Sequence, residues 1–359
     1  MVMKRLVVCS DGTWNRADAK NPTNVVKLYR SVQLQDEATA QIPWYDPGVG
    51  TGNRLSRAVG GVTGLGLTQN IEDAYRFLVR NYAPGDEIYL FGFSRGAYTA
   101  RSLGGLIRNS GILRRDYEAR IEDAIRLYRD RKRGPYHRDV VQFRGDFAHP
   151  EFRLKFIGVW DTVGSLGIPG NVFTRLNGRF HSFHDVKLSR SVQFGYQALA
   201  LDEHRSSFKP TLWEVQAQDT DSSSSVPGAT GEIGFLGGQQ VVEQVWFAGA
   251  HSDVGGGYSD DRLSDGALKW LMDRAADTGL VFKRDSTPDG SQAVTGRVHN
   301  SRSGVFKYLP AYERAVGRYQ DEAIHEAVSA RVRSSDYAPA GLKKSRFWPE
   351  LSGGADGED

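Results

Sequence analysis

Three short apolar runs in this 359-residue chain each lead into a residue that can attack a carbonyl or move a proton. Ile88-Tyr89-Leu90-Phe91 runs into Gly92-Phe93-Ser94-Arg95-Gly96, a G-x-S-x-G pentapeptide followed by the helical pattern Ala97-Tyr98-Thr99-Ala100-Arg101. Strand, sharp turn and helix in that order are the layout of a nucleophile elbow. The strained turn lifts the serine hydroxyl clear, and glycine two residues to either side removes side chains that would strike the adjoining strand and helix. Residues 154–160 (LKFIGVW) run into Asp161, and residues 241–249 (VVEQVWFAG) into His251, which sits in a glycine-rich loop. A serine hydroxyl needs a base to become a nucleophile, and that base needs a carboxylate to fix its tautomer and stabilise its charged form. Ser94, His251 and Asp161 supply those types, with glycines beside His251 that let the backbone bring the ring within reach. The N–H of Arg95, at the start of the helix, can hold a developing oxyanion, with the N–H of Gly12 or Thr13 as second donor.

Each of these residues has competitors. Asp253 stands two residues after His251 and could orient it in place of Asp161, or bind a cation together with Asp11, which could equally cap its own loop. Asp202, His204 and Arg205 form a cluster that fits either a substrate headgroup or a salt-bridged helix end, and Trp14 and Phe93 are aromatic neighbours of the site and candidates to line it. His181 and His184 read as surface histidines and not as a metal pair. The expected chemistry needs no metal or organic cofactor.

The elements that must position these residues alternate. Residues 5–9 (RLVVC) read as a strand, 25–33 as a helix opened by Asn21-Pro22-Thr23-Asn24, and 42–45 as a second strand. Residues 46–52 are glycine-rich but lack the lysine and hydroxyl of a phosphate loop, so a flexible active-site loop is expected there. Residues 70–81 form an amphipathic helix before the elbow strand. This order predicts an α/β fold with a mostly parallel central sheet and helices on both faces. Further on, 118–132 reads as a charged helix, 193–201 as a helix, 263–276 as a helix and 319–330 as a helical stretch. Residues 164–184, with Phe173, Phe180 and Phe183, read as a lid or substrate wall, and the Ser-rich 217–238 as a surface excursion. One domain over 1–335 is expected, with insertions at about 112–150 and 164–240, then a C-terminal extension over 336–359 whose end is disordered.

Composition sets the outer bounds. With 39% hydrophobic and 25% charged residues and a net charge of +3, the chain reads as an ordinary globular protein with no bulk attraction to nucleic acid. Peripheral membrane contact through a local patch stays open, as does the oligomeric state. A single cysteine, Cys9, excludes an internal disulfide. The first residues, MVMKRLVVCSDG, form neither a signal peptide nor a membrane span, which predicts a cytoplasmic protein, with export by a route that needs no cleaved signal still open.

Five segments in order, LVVCSDGTWN, LFGFSRGAYTAR, FIGVWDTVGSLG, ALALDEHRSSFKPTLW and VWFAGAHSDVGGGY, resemble the domain of unknown function 2235. That α/β-hydrolase family includes the class 1 type VI secretion lipase effectors. The resemblance implies an α/β-hydrolase-like fold and a serine esterase, lipase or phospholipase acting on a small-molecule or lipid acyl ester, with Ser94 as nucleophile, His251 as base and Asp161 as acid. Two other readings compete. VVCSDGTW resembles the opening of haloacid-dehalogenase phosphatases, and a metal-dependent phosphoesterase could use Asp11 and Asp253, but Cys9 stands where that family's nucleophilic aspartate belongs. The other is a non-catalytic binding module on a hydrolase fold.

Overall fold

The computed structural model describes residues 3–12, 15–36, 39–48, 64–130, 132–163, 188–214, 240–308 and 310–353. Strand β1 (Lys4–Ser10) starts the chain in the middle of a sheet. Helix α1 (Asn24–Ser31), strands β2 (Gln35–Asp36) and β3 (Thr39–Asp46), helix α2 (Gly64–Asn81), strand β4 (Glu87–Phe93) and helix α3 (Arg95–Ser110) follow. Helices α4 (Ile121–Arg129) and α5 (Arg138–Phe147) lead to β5 (Arg153–Trp160), β6 (Val192–Ala200) and β7 (Val241–Phe247). The rest comprises α6 (His251–Gly255), α7 (Arg262–Asp277), β8 (Glu322–Ile324), α8 (Glu326–Ser334), α9 (Ala340–Lys343) and α10 (Trp348–Leu351). The eight strands lie in the order β2-β3-β1-β4-β5-β6-β7-β8, and every pairing except β2 with β3 is parallel.

That order contains a reversal. From β1 the chain steps outward to β3, then crosses back to lay β4 on the other side of β1. At such a switch point the loops leaving two adjacent strand ends diverge and open a crevice, the common ligand site of open parallel sheets. The two loops concerned begin at Asp11 and at Ser94.

The sheet is buried on both faces because its strands are apolar on both. Leu6, Val8, Ile88 and Leu90 pack with α2, α3 and α4, while Val7, Cys9, Tyr89 and Phe91 pack with α1 and α7. Each large side chain so buried stabilises the fold by about 1.5–3 kcal/mol, before ordering entropy is set against it. A third core forms at the β7 and β8 end, where Leu199 and Trp246 meet Val316, Val328, Leu342 and Leu351. Within the described residues 336–353, Leu342 and Leu351 are therefore packed into the same body, and the phenol of Tyr337 donates to Asp202 at 2.6 Å.

One expected helix is a strand, and a second is helical only in its C-terminal part. Of residues 193–201, all but the last lie in β6, although Gln197, Ala198, Leu199 and Ala200 are good helix formers. Phe194, Tyr196, Ala198 and Ala200 alternate onto the face packed by α7, and the ladder slot between β5 and β7 overrides local propensity. The span 164–240 thus contains a core strand and is not one insertion. Similarly, the stretch 319–330 holds β8 before α8 begins at Glu326. Among the described residues no helix is long and apolar enough to cross a membrane. The expected lid at 164–184 and the excursion at 217–238 lie outside the described residues.

Candidate active site

Ser94 occupies the step from β4 into α3 with φ 58° and ψ −119°, a conformation few non-glycine residues adopt. The reason for the two glycines is steric. A Cβ on Gly96 would stand 2.0 Å from the carbonyl oxygen of Ser10, and one on Gly92 would stand 2.4 Å from that of Gly96. The elbow is wedged between its own helix and the end of β1, and its N–H donates to Trp160 at the end of β5, 3.1 Å away. Ser94 is mostly buried, at 8% exposure.

Asp161 leaves β5 in the next position along the sheet, with φ 41° and no exposed surface. His251 follows β7 as the first residue of α6. The loops bring them together: His251 Nδ1 lies 2.5 Å from Asp161 Oδ2. Phe93, the residue before Ser94, lies tilted against the imidazole with ring centroids 4.6 Å apart, and Phe208 meets it edge-on at 5.0 Å. The histidine ring is thus held between two aromatic rings beside the elbow. Phe93 is only 3% exposed and packs on Gly255, so it supports the histidine and does not line a substrate wall.

Asp161 has a further partner that sequence gave no hint of. Arg314, with a side chain as inaccessible as the aspartate, donates through Nη1 to Asp161 Oδ1 and through Nη2 to Oδ2, the latter at 2.9 Å. Burial alone would raise Asp161, but the Arg314 charge and the His251 contacts outweigh it, and the carboxyl titrates below the usual carboxylate range. Arg314 comes from an irregular stretch with no apolar period and no motif.

Three other acidic residues hold the base loop. Asp202 accepts from Gly249 N–H at 2.7 Å and from Tyr337. Glu203 accepts from His251 N–H at 3.3 Å and is chelated by the Arg205 guanidinium at 2.9 and 2.6 Å. Asp253 accepts from Ala250 N–H at 2.9 Å and pairs with His299 Nδ1 at 2.6 Å. Asp253 and Asp202, the alternative acids, are therefore committed to backbone and to other side chains, away from the His251 ring. His204 Nδ1 lies 3.3 Å from the Tyr312 carbonyl, and Arg205 lies over Phe208 at 3.5 Å, so this pair is engaged within the protein. Asn24 adds a tie from α1, donating to Val254 and Ser264 carbonyls at 2.9 Å each.

On the elbow side, Gly12 departs from expectation. Its N–H donates to Asp11 Oδ1 at 2.7 Å and is not available to an oxyanion in this arrangement. Thr13 and Trp14 lie outside the described residues. Asp11 also accepts from Asn15 (3.1 Å), Thr23 (2.6 Å) and Tyr45 (2.9 Å), so four protein donors fill its acceptor sites. Asp11 thus takes four protein donors, and Asp253 takes three, from Ala250 N–H and from the N–H and Nδ1 of His299, so neither carboxylate stands open for the shared cation site expected of them. Among the described residues no group of three or more His, Cys, Asp or Glu is placed to hold a metal ion. Cys9 points into the α1 and α7 core, where burial raises its thiol, and it cannot serve as a phosphatase-type nucleophile.

Strand order, elbow and the histidine–carboxylate pair define an α/β-hydrolase-like protein. The chain belongs to the family described as type VI secretion system (T6SS) phospholipase effector Tle1-like, catalytic domain, whose model matches residues 4–274. The uncharacterized protein YEL023C of Saccharomyces cerevisiae is 28% identical over 284 residues, covering 69% of this chain and 40% of that protein. An uncharacterized protein from Pseudomonas aeruginosa, known as a crystal structure, aligns with a TM-score of 0.40 at 18% identity over 78% of this chain and 46% of its own. The Tle1 effector bound to the VgrG spike of the type 6 secretion system aligns with a TM-score of 0.35 at 20% identity over 72% of this chain and 52% of its own. The chain thus spans about half the length of these relatives or less.

Proposed function

We propose that the protein is a serine hydrolase that cleaves carboxylic esters, with lipid or phospholipid esters as the substrate class. Ser94 Oγ attacks the ester carbonyl while His251 Nε2 takes its proton, and Asp161 fixes the tautomer that leaves Nε2 free to accept it. The tetrahedral oxyanion is held by the Arg95 N–H in the first turn of α3, with Thr13 as the second donor; losing one such donor costs about 3 kcal/mol of barrier. The alcohol leaves with the proton from His251, and water activated by the same imidazole releases the acyl group. No step draws on a metal or organic cofactor.

The observation that carries this reading is the 2.5 Å contact between His251 Nδ1 and Asp161 Oδ2, one strand away from a serine held at positive φ. Membership of a phospholipase effector family supports the lipid side of the proposal. Export through a signal-less secretion system and peripheral contact with a bilayer belong to the same proposal. Chromogenic esters of increasing acyl length, run beside phosphatidylcholine vesicles, test it. Hydrolysis that is insensitive to chelator and disappears in Ser94→Ala is expected; undiminished hydrolysis in that variant would reject the assignment.

A further inference from the structure

Arg314 lies well beyond residue 274, where the match to the family's catalytic domain ends, yet its guanidinium touches the proposed triad acid. Its two terminal nitrogens join three separate segments. Nη1 donates to Asp161 Oδ1 and to the Ala200 carbonyl at 2.9 Å, and Nη2 to Asp161 Oδ2 and to the Phe208 carbonyl at 2.8 Å. Phe208 is also the residue whose ring closes on His251. The Asp161 carboxylate then has four donors: Arg314 Nη1 and Ala200 N–H on Oδ1, Arg314 Nη2 and His251 Nδ1 on Oδ2. Every acceptor site is filled, and the carboxylate plane has one orientation left to it.

We infer that Arg314 is a positioning residue of the hydrolytic site, clamping Asp161 as a carboxylate in the plane that meets His251. The inference rests on the serine-hydrolase reading above and extends it to the segment after the family's catalytic domain. A fully buried aspartate without a cation would favour its protonated form, which would cost His251 the acceptor that holds its tautomer. Arginine suits the task because its planar fork can hold a carboxylate bidentately and still reach two carbonyls, which a lysine ammonium cannot.

The ionisable groups around His251 are Asp161 with Arg314 at the ring, Glu203 with Arg205 at its N–H, and Asp253 with His299 on the next turn. Removing the Arg314 charge lets Asp161 bind a proton more readily and takes a repelling neighbour away from the imidazolium. Both effects push the acid limit of activity to higher pH. A residue that merely packed would lower activity by the same factor at every pH.

The test is a pH profile of p-nitrophenyl butyrate hydrolysis and of fluorophosphonate inactivation for the full chain, Arg314→Met and Arg314→Lys, each checked for folding by circular dichroism. In Arg314→Met, kcat near neutral pH falls about 10- to 100-fold, KM stays within about twofold, and the acid limb moves up by about one pH unit or more. Arg314→Lys keeps the limb close to that of the parent and loses kcat about 3- to 10-fold, because the charge remains and the fork does not. If Arg314→Met does not fold, a folded Arg314→Lys with parental kcat overturns the inference, and one with lowered kcat and unchanged KM sustains it. A folded Arg314→Met with the parental limb also overturns it, leaving the hydrolase reading intact. A parent protein that is neither hydrolytic nor labelled at Ser94 overturns both.

Discussion

On the elbow side of the site, Asp11 stands at the end of β1 among neutral donors and Asp46 at the end of β3 with only carboxylates as charged neighbours, whereas on the base side Asp161 and Glu203 each meet a guanidinium. The consequences are opposite. Burial raises Asp11 against the pull of Thr23, Tyr45, Gly12 and Asn15, and it raises Asp46 to about 7, with help from Asp73 and Asp11. Burial also acts on Asp161 and Glu203, but Arg314 and Arg205 outweigh it and both are lowered. Asp202, whose donors are a phenol and a backbone N–H, follows the elbow pattern and is raised. The deciding factor is therefore guanidinium contact rather than depth. The carboxylate proposed as the triad acid has a guanidinium, and Asp11 and Asp202, which hold loops through neutral donors, do without.

The largest effect should come from breaking the charged side. Asp161→Asn loses roughly 10³- to 10⁴-fold in kcat, through the wrong tautomer at His251, and leaves Arg314 buried without its carboxylate, at about 3 kcal/mol of stability. An Asp161→Asn enzyme within tenfold of the parent would remove the acid from the mechanism. The elbow side breaks sterically instead. Gly96→Ala forces a methyl onto the Ser10 carbonyl at 2.0 Å and should destabilise the fold by about 3 kcal/mol or more, read as a lower urea midpoint. A midpoint unchanged from the parent would contradict the close approach of α3 to β1.

Smaller changes sharpen the comparison. The folded-state pKa of Asp46 lies above its unfolded value of 3.8, so the native state binds the proton more tightly, and its stabilising share is complete below about pH 4 and lost as pH rises through about 7. Its Oδ2 has no hydrogen-bond partner among the described residues. Asp46→Asn should therefore flatten that decline and stabilise the protein at pH 8 by about 2 kcal/mol, with little change at pH 4. Equal effects at both pH values would show that Asp46 is not titrating in this window. Asp202→Asn can set its one amide oxygen where Oδ2 accepts from both Gly249 and Tyr337 and loses only the charge, at about 1 kcal/mol and a few-fold in kcat. A loss as large as that of Asp161→Asn would make Asp202 more than a loop clamp.

The same comparison explains what could be read from the sequence. The elbow is local: Gly92, Ser94 and Gly96 fall within five residues, between a strand and a helix that patterning predicts, so the steric need is visible in the letters themselves. The base side is assembled from Asp161, Glu203, Phe208, His251, His299 and Arg314, which meet only because parallel strands end at one rim. His251 and Asp161 could be found because each follows an apolar strand. Arg314 could not, since no periodicity surrounds it and its role depends on a fold in which β6 and β8 are strands. Both were read as helix because their residues favour helix when neighbours are ignored. The choice between Asp161, Asp253 and Asp202 likewise needed coordinates, because all three follow strand ends.

The central claim is that Ser94 is a nucleophile activated by His251. Fluorophosphonate labelling followed by peptide mass mapping measures that directly. The account predicts a single adduct on Ser94 that is absent in Ser94→Ala and forms at least about 100-fold more slowly in His251→Ala. An adduct elsewhere with Ser94 unmodified, or labelling in His251→Ala at the parental rate, would contradict it.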